Sequence, residues 1–239
     1  MTWNDSFTKN KRLYYFILIL LFAVGYAYYG CFSYLAFPDN FSGQQPISAK
    51  FLFMVFHEIL CIALLSLVLA ERGETFSNLG VSFERKDLFH SFGLFFGSLV
   101  VQFVLLWGYM FVMWCITGDF NFKSFMDTDS AESFLIAISK TPIYLLGIVT
   151  LVNPFFEEII VRAFFMTEFN RFVKSGLLAV LSSTLIQTGY HFYQGWTYTV
   201  VHFLTFLFFS IYYQKTKRAT PLILAHFYLD VIGIFRTVI

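Results

Sequence analysis

Residues 143–162 read IYLLGIVTLVNPFFEEIIVR, and this stretch joins a long apolar run to a Glu-Glu-x-x-x-Arg motif. A membrane-spanning helix needs roughly 20 mostly apolar residues. Glu157, Glu158 and Arg162 would therefore lie within a span, where each ionisable side chain costs on the order of 2.5–3.5 kcal/mol on insertion scales. Because of that cost, we take these three side chains as candidates for function.

The composition of the whole chain indicates a membrane protein. Of its 239 residues, 58% are hydrophobic and only 13% are charged, whereas ordinary globular domains carry about 25% charge. Folded in water, such a chain would expose large apolar patches, which soluble monomers avoid. The net charge of +1 gives no electrostatic basis for binding nucleic acid. We therefore predict an all-α, polytopic transmembrane helical bundle with a buried polar cavity, embedded in a lipid bilayer.

Seven apolar segments are long enough to be predicted as spanning helices. They are Leu13–Phe37, Phe51–Ala70, Ser91–Thr117, Phe134 or Thr141 to Phe172, Leu177–Gln194, Thr197–Tyr213 and Ala219–Val238. The fourth contains Pro142 and Pro154, and a proline inside a helix removes a backbone donor, so a break at either proline and an eighth helix is the alternative. We divide the chain into N-terminal membrane helices, residues 1–140, and a catalytic core, residues 141–239, within one integrated membrane domain.

Positive charge is distributed unevenly between the two ends of these segments. Eleven Lys and Arg residues fall on the side of the N-terminus and four on the opposite side. Cytoplasmic loops carry an excess of Lys and Arg, so we expect a cytoplasmic N-terminus and an external C-terminus. The acidic loop Gly118–Ser133 would then be external. The short loops and small size favour a bacterial plasma membrane.

Three further ionisable side chains lie in the predicted spans near the end of the chain. They are His191, His226 and Asp230, and the last two are four residues apart on one helix face. At about 1.5 Å per residue, Glu157 and His191 lie roughly 21 and 22 Å from the predicted cytoplasmic side. Asp230 and His226 lie roughly 18 and 12 Å from the same side. Polar residues with unrelated roles would have no reason to share a depth, so we expect one buried site.

These side chains permit two kinds of hydrolytic chemistry. In the first, Glu157 and His191 hold and deprotonate a water that attacks a peptide carbonyl. His226 then stabilises the oxyanion, and Asp230 either helps, if it is protonated, or orients His226. In the second, Glu157, His191 and His226 bind Zn²⁺, which lowers the pKa of a bound water to about 7. Single ligands on three separate helices form no local zinc signature, so we favour the first chemistry, without a metal or another cofactor.

The other polar residues of the spans are interpreted as structural. The pair His57-Glu58 resembles the start of a helical zinc motif, but position 61 is Cys where that motif has a second His. His202 has no acidic neighbour in the sequence and is predicted to make a helix contact, while His90 is predicted to lie at the membrane interface. The three cysteines are scattered and form neither a disulfide framework nor a metal-binding pattern.

Six of these residues, taken in chain order, resemble the motifs of a known family: Glu157, Glu158, Arg162, His191, His226 and Asp230. The family is the CPBP family of CAAX-type prenyl endopeptidases and bacteriocin-processing or self-immunity proteins, also called the Abi family. The resemblance covers about residues 141–238. It implies an intramembrane endopeptidase with a conical helical cavity open to the bilayer, and members of the family are described both as metalloproteases and as glutamic proteases.

The resemblance also implies a role for each motif residue. The first glutamate, Glu157, is the water activator, and His191 assists it. The second glutamate and the arginine of the motif are associated with structure and substrate positioning. His226 and Asp230 are placed as the oxyanion site.

Three positions depart from the family pattern. Gln187 stands where the family usually has Phe, and Ala163 stands where Gly is common. We expect these two differences to affect packing. Asp230 stands where Asn is common in the prenyl-processing branch, and an ionised Asp230 would repel an oxyanion.

Two other classes of function are compatible with the sequence. A non-catalytic membrane scaffold or bacteriocin self-immunity protein would keep the fold and bind a partner, and a transporter would use a polar site at mid-membrane. The presence of every motif residue favours the enzyme, and the lack of a clear inverted repeat disfavours the transporter. We therefore expect a peptide hydrolase that acts on a membrane-associated peptide or protein.

Overall fold

The structure is a computed structural model that describes residues 5–36, 47–118, 136 and 138–238. Within these ranges the chain is helical and contains no β-strand, which confirms the predicted all-α class. The long helices are α1 (Asp5–Ala36), α2 (Ile47–Glu71), α3 (Arg85–Thr117), α4 (Ile143–Val173), α5 (Gly176–Gly189), α6 (Trp196–Thr216) and α7 (Thr220–Val238). Short 3₁₀ turns occupy Phe76–Leu79 and Phe192–Gln194.

The helices correspond to the predicted spans. Four of them, α1 to α4, contain stretches that are long and apolar enough to cross a membrane, and α5 and α7 are apolar but shorter. The chain is thus an integral membrane protein. Helix α4 begins directly after Pro142 and continues through Pro154, so the chain breaks at the first of the two prolines. The predicted start at Phe134 and nearly all of the acidic loop Gly118–Ser133 lie outside the described residues.

One hydrophobic core joins the two parts of the chain. Ala23 of α1 and Leu65 of α2 are fully buried in the same cluster as Ile160 and Phe164 of α4 and Leu222 of α7. By contrast, α3 exposes most of its apolar side chains, as a helix in contact with lipid does. The N-terminal helices are therefore packed against the predicted catalytic core, while the boundary at residue 140 stays a prediction.

The motif-bearing part of α4 is wound more loosely than an α-helix. Residues Glu157–Phe164 form a π-helical segment between the α-helical parts Ile143–Phe156 and Phe165–Val173, and all eight residues of the segment are buried. Such segments are rare and frequently occur at functional sites. The sequence analysis assumed a regular α-helix here, so this change of winding is a finding of the structure.

Ion pairs connect the helices at the end of the bundle to which the charge distribution assigns the cytoplasm. Arg72 and Arg12 lie 3.2 and 3.5 Å from the carboxylate of Glu168. Arg218, between α6 and α7, lies 2.7 Å from Asp87 of α3. The residues predicted to share one side of the membrane thus meet at one end of the molecule. Which face of the membrane this end occupies stays a prediction.

The connection between α2 and α3 is anchored to the start of α7 through Gly80. Its φ of +80° lies in the left-handed region, which favours glycine. The carbonyl oxygen of Gly80 accepts a hydrogen bond from the backbone N–H of Ala219 at 2.9 Å. A Cβ on Gly80 would lie 2.0 Å from the carbonyl oxygen of Lys217. This close approach fixes the beginning of the helix that carries His226 and Asp230.

We expect Gly80→Ala to lower the thermal stability of the protein more than Gly73→Ala. Both glycines have a positive φ, so both variants incur left-handed strain of roughly 1–2 kcal/mol. Nothing lies within 4 Å of a Cβ on Gly73, however, so only Gly80→Ala adds a backbone collision. Thermal unfolding of the detergent-solubilised protein measures the difference. Equal melting temperatures would mean that the backbone around Gly80 adjusts without cost.

Candidate active site

Polar side chains from three parts of the chain meet around Glu157. Its Oε1 lies 3.8 Å from Nε2 of His191, and its Oε2 lies 3.8 Å from Nε2 of His226. The three residues are between 4% and 9% exposed. The structure thus brings together the residues that the depth argument placed at one site, and their catalytic roles stay predictions.

His191 lies in a turn, whereas the sequence analysis placed it inside a spanning helix. Helix α5 ends at Gly189, and His191 immediately precedes a 3₁₀ turn. Nδ1 of His191 lies 2.8 Å from the carbonyl oxygen of Gln187. Because a carbonyl only accepts hydrogen bonds, Nδ1 is the protonated nitrogen in this contact. The unprotonated Nε2 therefore faces Glu157.

Glu158 and Arg162 form an ion pair that is completely buried. Nε of Arg162 lies 2.7 Å from Oε2 of Glu158, and neither side chain is exposed. The guanidinium also donates to the carbonyl oxygen of Phe206 at 3.5 Å and to Oγ of Ser210 at 3.4 Å. Arg162 thereby compensates the buried charge of Glu158 and links α4 to α6. Removing one partner of such a pair is strongly destabilising, since the other charge is left uncompensated.

His226 is surrounded by carboxylates on both of its nitrogens. Its Nδ1 lies 2.9 Å from Oε1 of Glu158, and its Nε2 lies 3.5 Å from Oδ1 of Asp230. Glu158 is thus positioned to accept the Nδ1 proton, which leaves Nε2 as the nitrogen directed towards Glu157. The contact between Asp230 and Nε2 favours the alternative in which Asp230 orients His226.

Gln187 connects the two glutamates of the motif. Its Nε2 donates to Oε2 of Glu157 at 2.7 Å, and its Oε1 accepts a hydrogen bond from the guanidinium of Arg162. The side chain is fully buried. The expectation that Gln in place of Phe affects only packing is wrong, because the amide is a polar bridge within the site. Its position four residues before His191 was the signal that the sequence offered.

Glu58 of α2 is a further carboxyl group near this cluster, and the sequence analysis gave it no function. It is 3% exposed, and its Oε2 has no hydrogen-bond partner. It lies close enough to interact electrostatically with Glu157, Asp230 and His226. The adjacent His57 instead points to α1, where its Nε2 lies 3.1 Å from a backbone carbonyl oxygen.

Two other histidines make contacts of the kind predicted for them. Nε2 of His202 lies 2.7 Å from Oε1 of Gln194, and its ring centroid lies 5.1 Å from that of His191. His90 is exposed and lies 2.9 Å from the hydroxyl of Tyr212. His202 thus supports the turn that carries His191, and His90 is remote from the site.

The alternative zinc ligands are Glu157, His191 and His226. Across the part of the chain that the structure describes, no group of three or more His, Cys, Asp or Glu side chains is arranged to hold a metal ion. Each imidazole faces a different oxygen of Glu157, and both nitrogens of His226 face carboxylates. The described side chains therefore do not fit a three-ligand zinc site in this arrangement.

Comparison with known protein families supports the resemblance seen in the sequence. Residues 139–232 match the family model Rce1-like, described as Type II CAAX prenyl endopeptidase Rce1-like. The match covers less than half of the chain, but it includes every motif residue from Glu157 to Asp230. It confirms the resemblance to the CPBP family and supports, at the level of the family, an intramembrane protease of the CAAX type. No curated protein and no solved structure matches the chain.

We expect Gln187→Leu to lower the free energy of unfolding. The variant removes the hydrogen bonds to Arg162 and Glu157, and each buried polar group left without a partner costs about 1–3 kcal/mol. Gln102→Leu is the matched control, since that amide makes a single described contact of 3.3 Å to Thr205 in a part-buried position. Unfolding of the purified protein by denaturant measures both variants. If Gln187→Leu is as stable as Gln102→Leu, the bridge contributes nothing to the fold.

Proposed function

We propose that this protein is an intramembrane endopeptidase that hydrolyses a peptide bond of a membrane-associated peptide or protein. The observation that carries the proposal is the gap of 3.8 Å between Oε1 of Glu157 and Nε2 of His191. This gap is longer than a direct hydrogen bond and suits a water held by both side chains. The family match over residues 139–232 supports the same class of reaction.

Glu157 is the base in the proposed reaction. Gln187 donates a hydrogen bond to its Oε2 at 2.7 Å, which holds the carboxylate in place, while Oε1 faces the water position. As the water oxygen attacks the peptide carbonyl, Glu157 takes one of its protons and Nε2 of His191 accepts a hydrogen bond from the other. Both groups are held before the reaction by Gln187, through its amide and through its backbone carbonyl.

His226 stabilises the charge that develops on the carbonyl oxygen. With Nδ1 donating to Glu158 at 2.9 Å, the imidazole is fixed so that an Nε2–H donor is directed to the reaction space next to Glu157. Asp230, 3.5 Å from Nε2, orients the ring. A donor positioned in advance by its neighbours needs no reorganisation when the oxyanion forms, and one such donor is typically worth about 10²–10³ in kcat.

We expect Glu157→Gln to abolish proteolysis while leaving the protein folded. The amide keeps the shape of the side chain but cannot take a proton, and loss of a general base typically lowers the rate about 10²–10⁴-fold. Mass spectrometry of membrane and secreted peptides, compared between cells that produce the wild type and the variant, identifies the products. Quenched fluorescent peptides ending in a farnesylated cysteine and three further residues, with unprenylated counterparts, measure the rate.

Glu84→Gln is the control for this comparison, because Glu84 is a solvent-exposed carboxylate of the ion pairs at the end of the bundle. It should cleave like the wild type. Identical peptide profiles for the wild type and Glu157→Gln, with the cellular phenotype retained, would favour a non-catalytic scaffold or self-immunity protein.

We expect activity to survive removal of metal ions. The proposed base and oxyanion donor are side chains of the chain itself, so dialysis of the detergent-solubilised enzyme against a chelator such as phenanthroline should leave kcat unchanged. The assay is cleavage of the same fluorescent peptides before and after dialysis. Loss of activity that added Zn²⁺ restores would support the metal mechanism through Glu157, His191 and His226.

A further inference from the structure

Glu58 is a buried acid that the proposed mechanism leaves unused. The acids around it have polar partners: Glu158 has Arg162, Glu157 has Gln187, and Asp230 has His226. Oε2 of Glu58 has none, although the residue is only 3% exposed. A buried, unpartnered carboxyl group costs several kcal/mol when ionised, so its presence beside the site requires an explanation.

The packing of α2 holds Glu58 towards the site. The ring of the adjacent His57 contacts the ring of Phe156, with centroids 6.2 Å apart, and Phe156 immediately precedes Glu157. Nε2 of His57 lies 3.1 Å from the carbonyl oxygen of Phe22. These two contacts fix α2 against α1 and α4. They explain why Glu58 approaches the cluster from the side opposite to His191 in the sequence of packed helices.

The groups that face Glu58 determine which carboxyl holds a proton. From α4 it faces Glu157, and from α7 it faces Asp230 and His226. Tyr26 of α1 and Cys61 of its own helix also interact with it. Two carboxyl groups that face each other in a low dielectric do not both ionise readily. Glu157 is the better place for the charge, since Gln187 donates to it and two imidazoles face it, so the shared proton resides on Glu58.

We propose that Glu58 is a second catalytic acid of the site, which carries a proton and delivers it to the leaving nitrogen of the peptide. The proposal rests on the proposed peptidase function. It assigns base and acid to two carboxyl groups whose surroundings differ, an arrangement that separates their roles.

The proton balance of the proposed step is complete. Glu157 takes a proton from the attacking water, and the carbonyl carbon becomes tetrahedral. When the C–N bond breaks, the nitrogen takes the proton of Glu58, and the products are a carboxylic acid and an amine. The proton on Glu157 then returns to the Glu58 carboxylate, and both groups regain their starting states.

Infrared spectroscopy tests the location of the proton without any substrate. In the full-length protein in lipid, Glu58→Gln should remove intensity from the carboxylic-acid C=O stretching band that shifts between H₂O and D₂O. Glu84→Gln, which removes an exposed carboxylate, should leave that band unchanged. If Glu58→Gln instead removes intensity from the carboxylate bands, Glu58 is ionised at rest and the proposal is overturned, whatever the enzyme does.

Kinetics test the delivery of the proton. With whichever fluorescent peptide the wild type cleaves, Glu58→Gln should lower kcat about 10²-fold or more with KM within about twofold, and Glu58→Asp should recover part of kcat. An unchanged kcat for a folded Glu58→Gln protein would overturn the catalytic role. A rise in KM alone would do so as well, because it would show a role in binding only.

The two measurements separate this inference from the proposed function. If the wild type and all variants cleave nothing, the peptidase assignment fails and the delivery step fails with it, while the infrared band still decides whether Glu58 carries a proton. If the wild type cleaves and Glu157→Gln does not, but Glu58→Gln is fully active, the peptidase stands and only the second acid is lost.

Discussion

The buried ion pair between Glu158 and Arg162 is the constraint on which the rest of the structure depends. In the interior of a membrane protein a single unpaired charge is costly, so the two side chains must stay together and every remaining polar atom around them needs a partner. Ser210 and the Phe206 carbonyl meet the guanidinium from α6, Gln187 meets it from α5, and His226 meets the carboxylate from α7. Four helices are therefore held in one arrangement by one pair of charges.

Within that arrangement the two glutamates of the motif have different surroundings. Glu158 is neutralised by Arg162 and acts on the site only through the ring of His226. Glu157 has no cationic side chain of its own and faces two imidazoles across gaps of 3.8 Å. The adjacent carboxylates are thus divided between holding the fold and facing the reaction space, and the π-helical winding of Glu157–Phe164 sets the directions in which they point.

The sequence predicted the parts of this structure that follow from hydropathy and spacing. The apolar runs located the helices, and the cost of ionisable side chains in a membrane singled out Glu157, His191, His226 and Asp230 as residues that meet. Other features depend on packing that one sequence does not display. The π-helical segment, the turn that carries His191 and the bridge made by Gln187 arise from neighbours distant in the chain. Glu58 was set aside because its local motif was incomplete, whereas its importance comes from the helix opposite.

The position of Glu58 outside the matched segment 139–232 has a consequence for how this architecture can be divided. A fragment or chimera that keeps only the matched segment would retain the motif residues and lose both the α1 and α2 side chains of the common core and the acid facing Glu157. Modularity in the family should therefore be sought at whole bundles, and surveys restricted to the motif region would overlook diversification contributed by the first two helices.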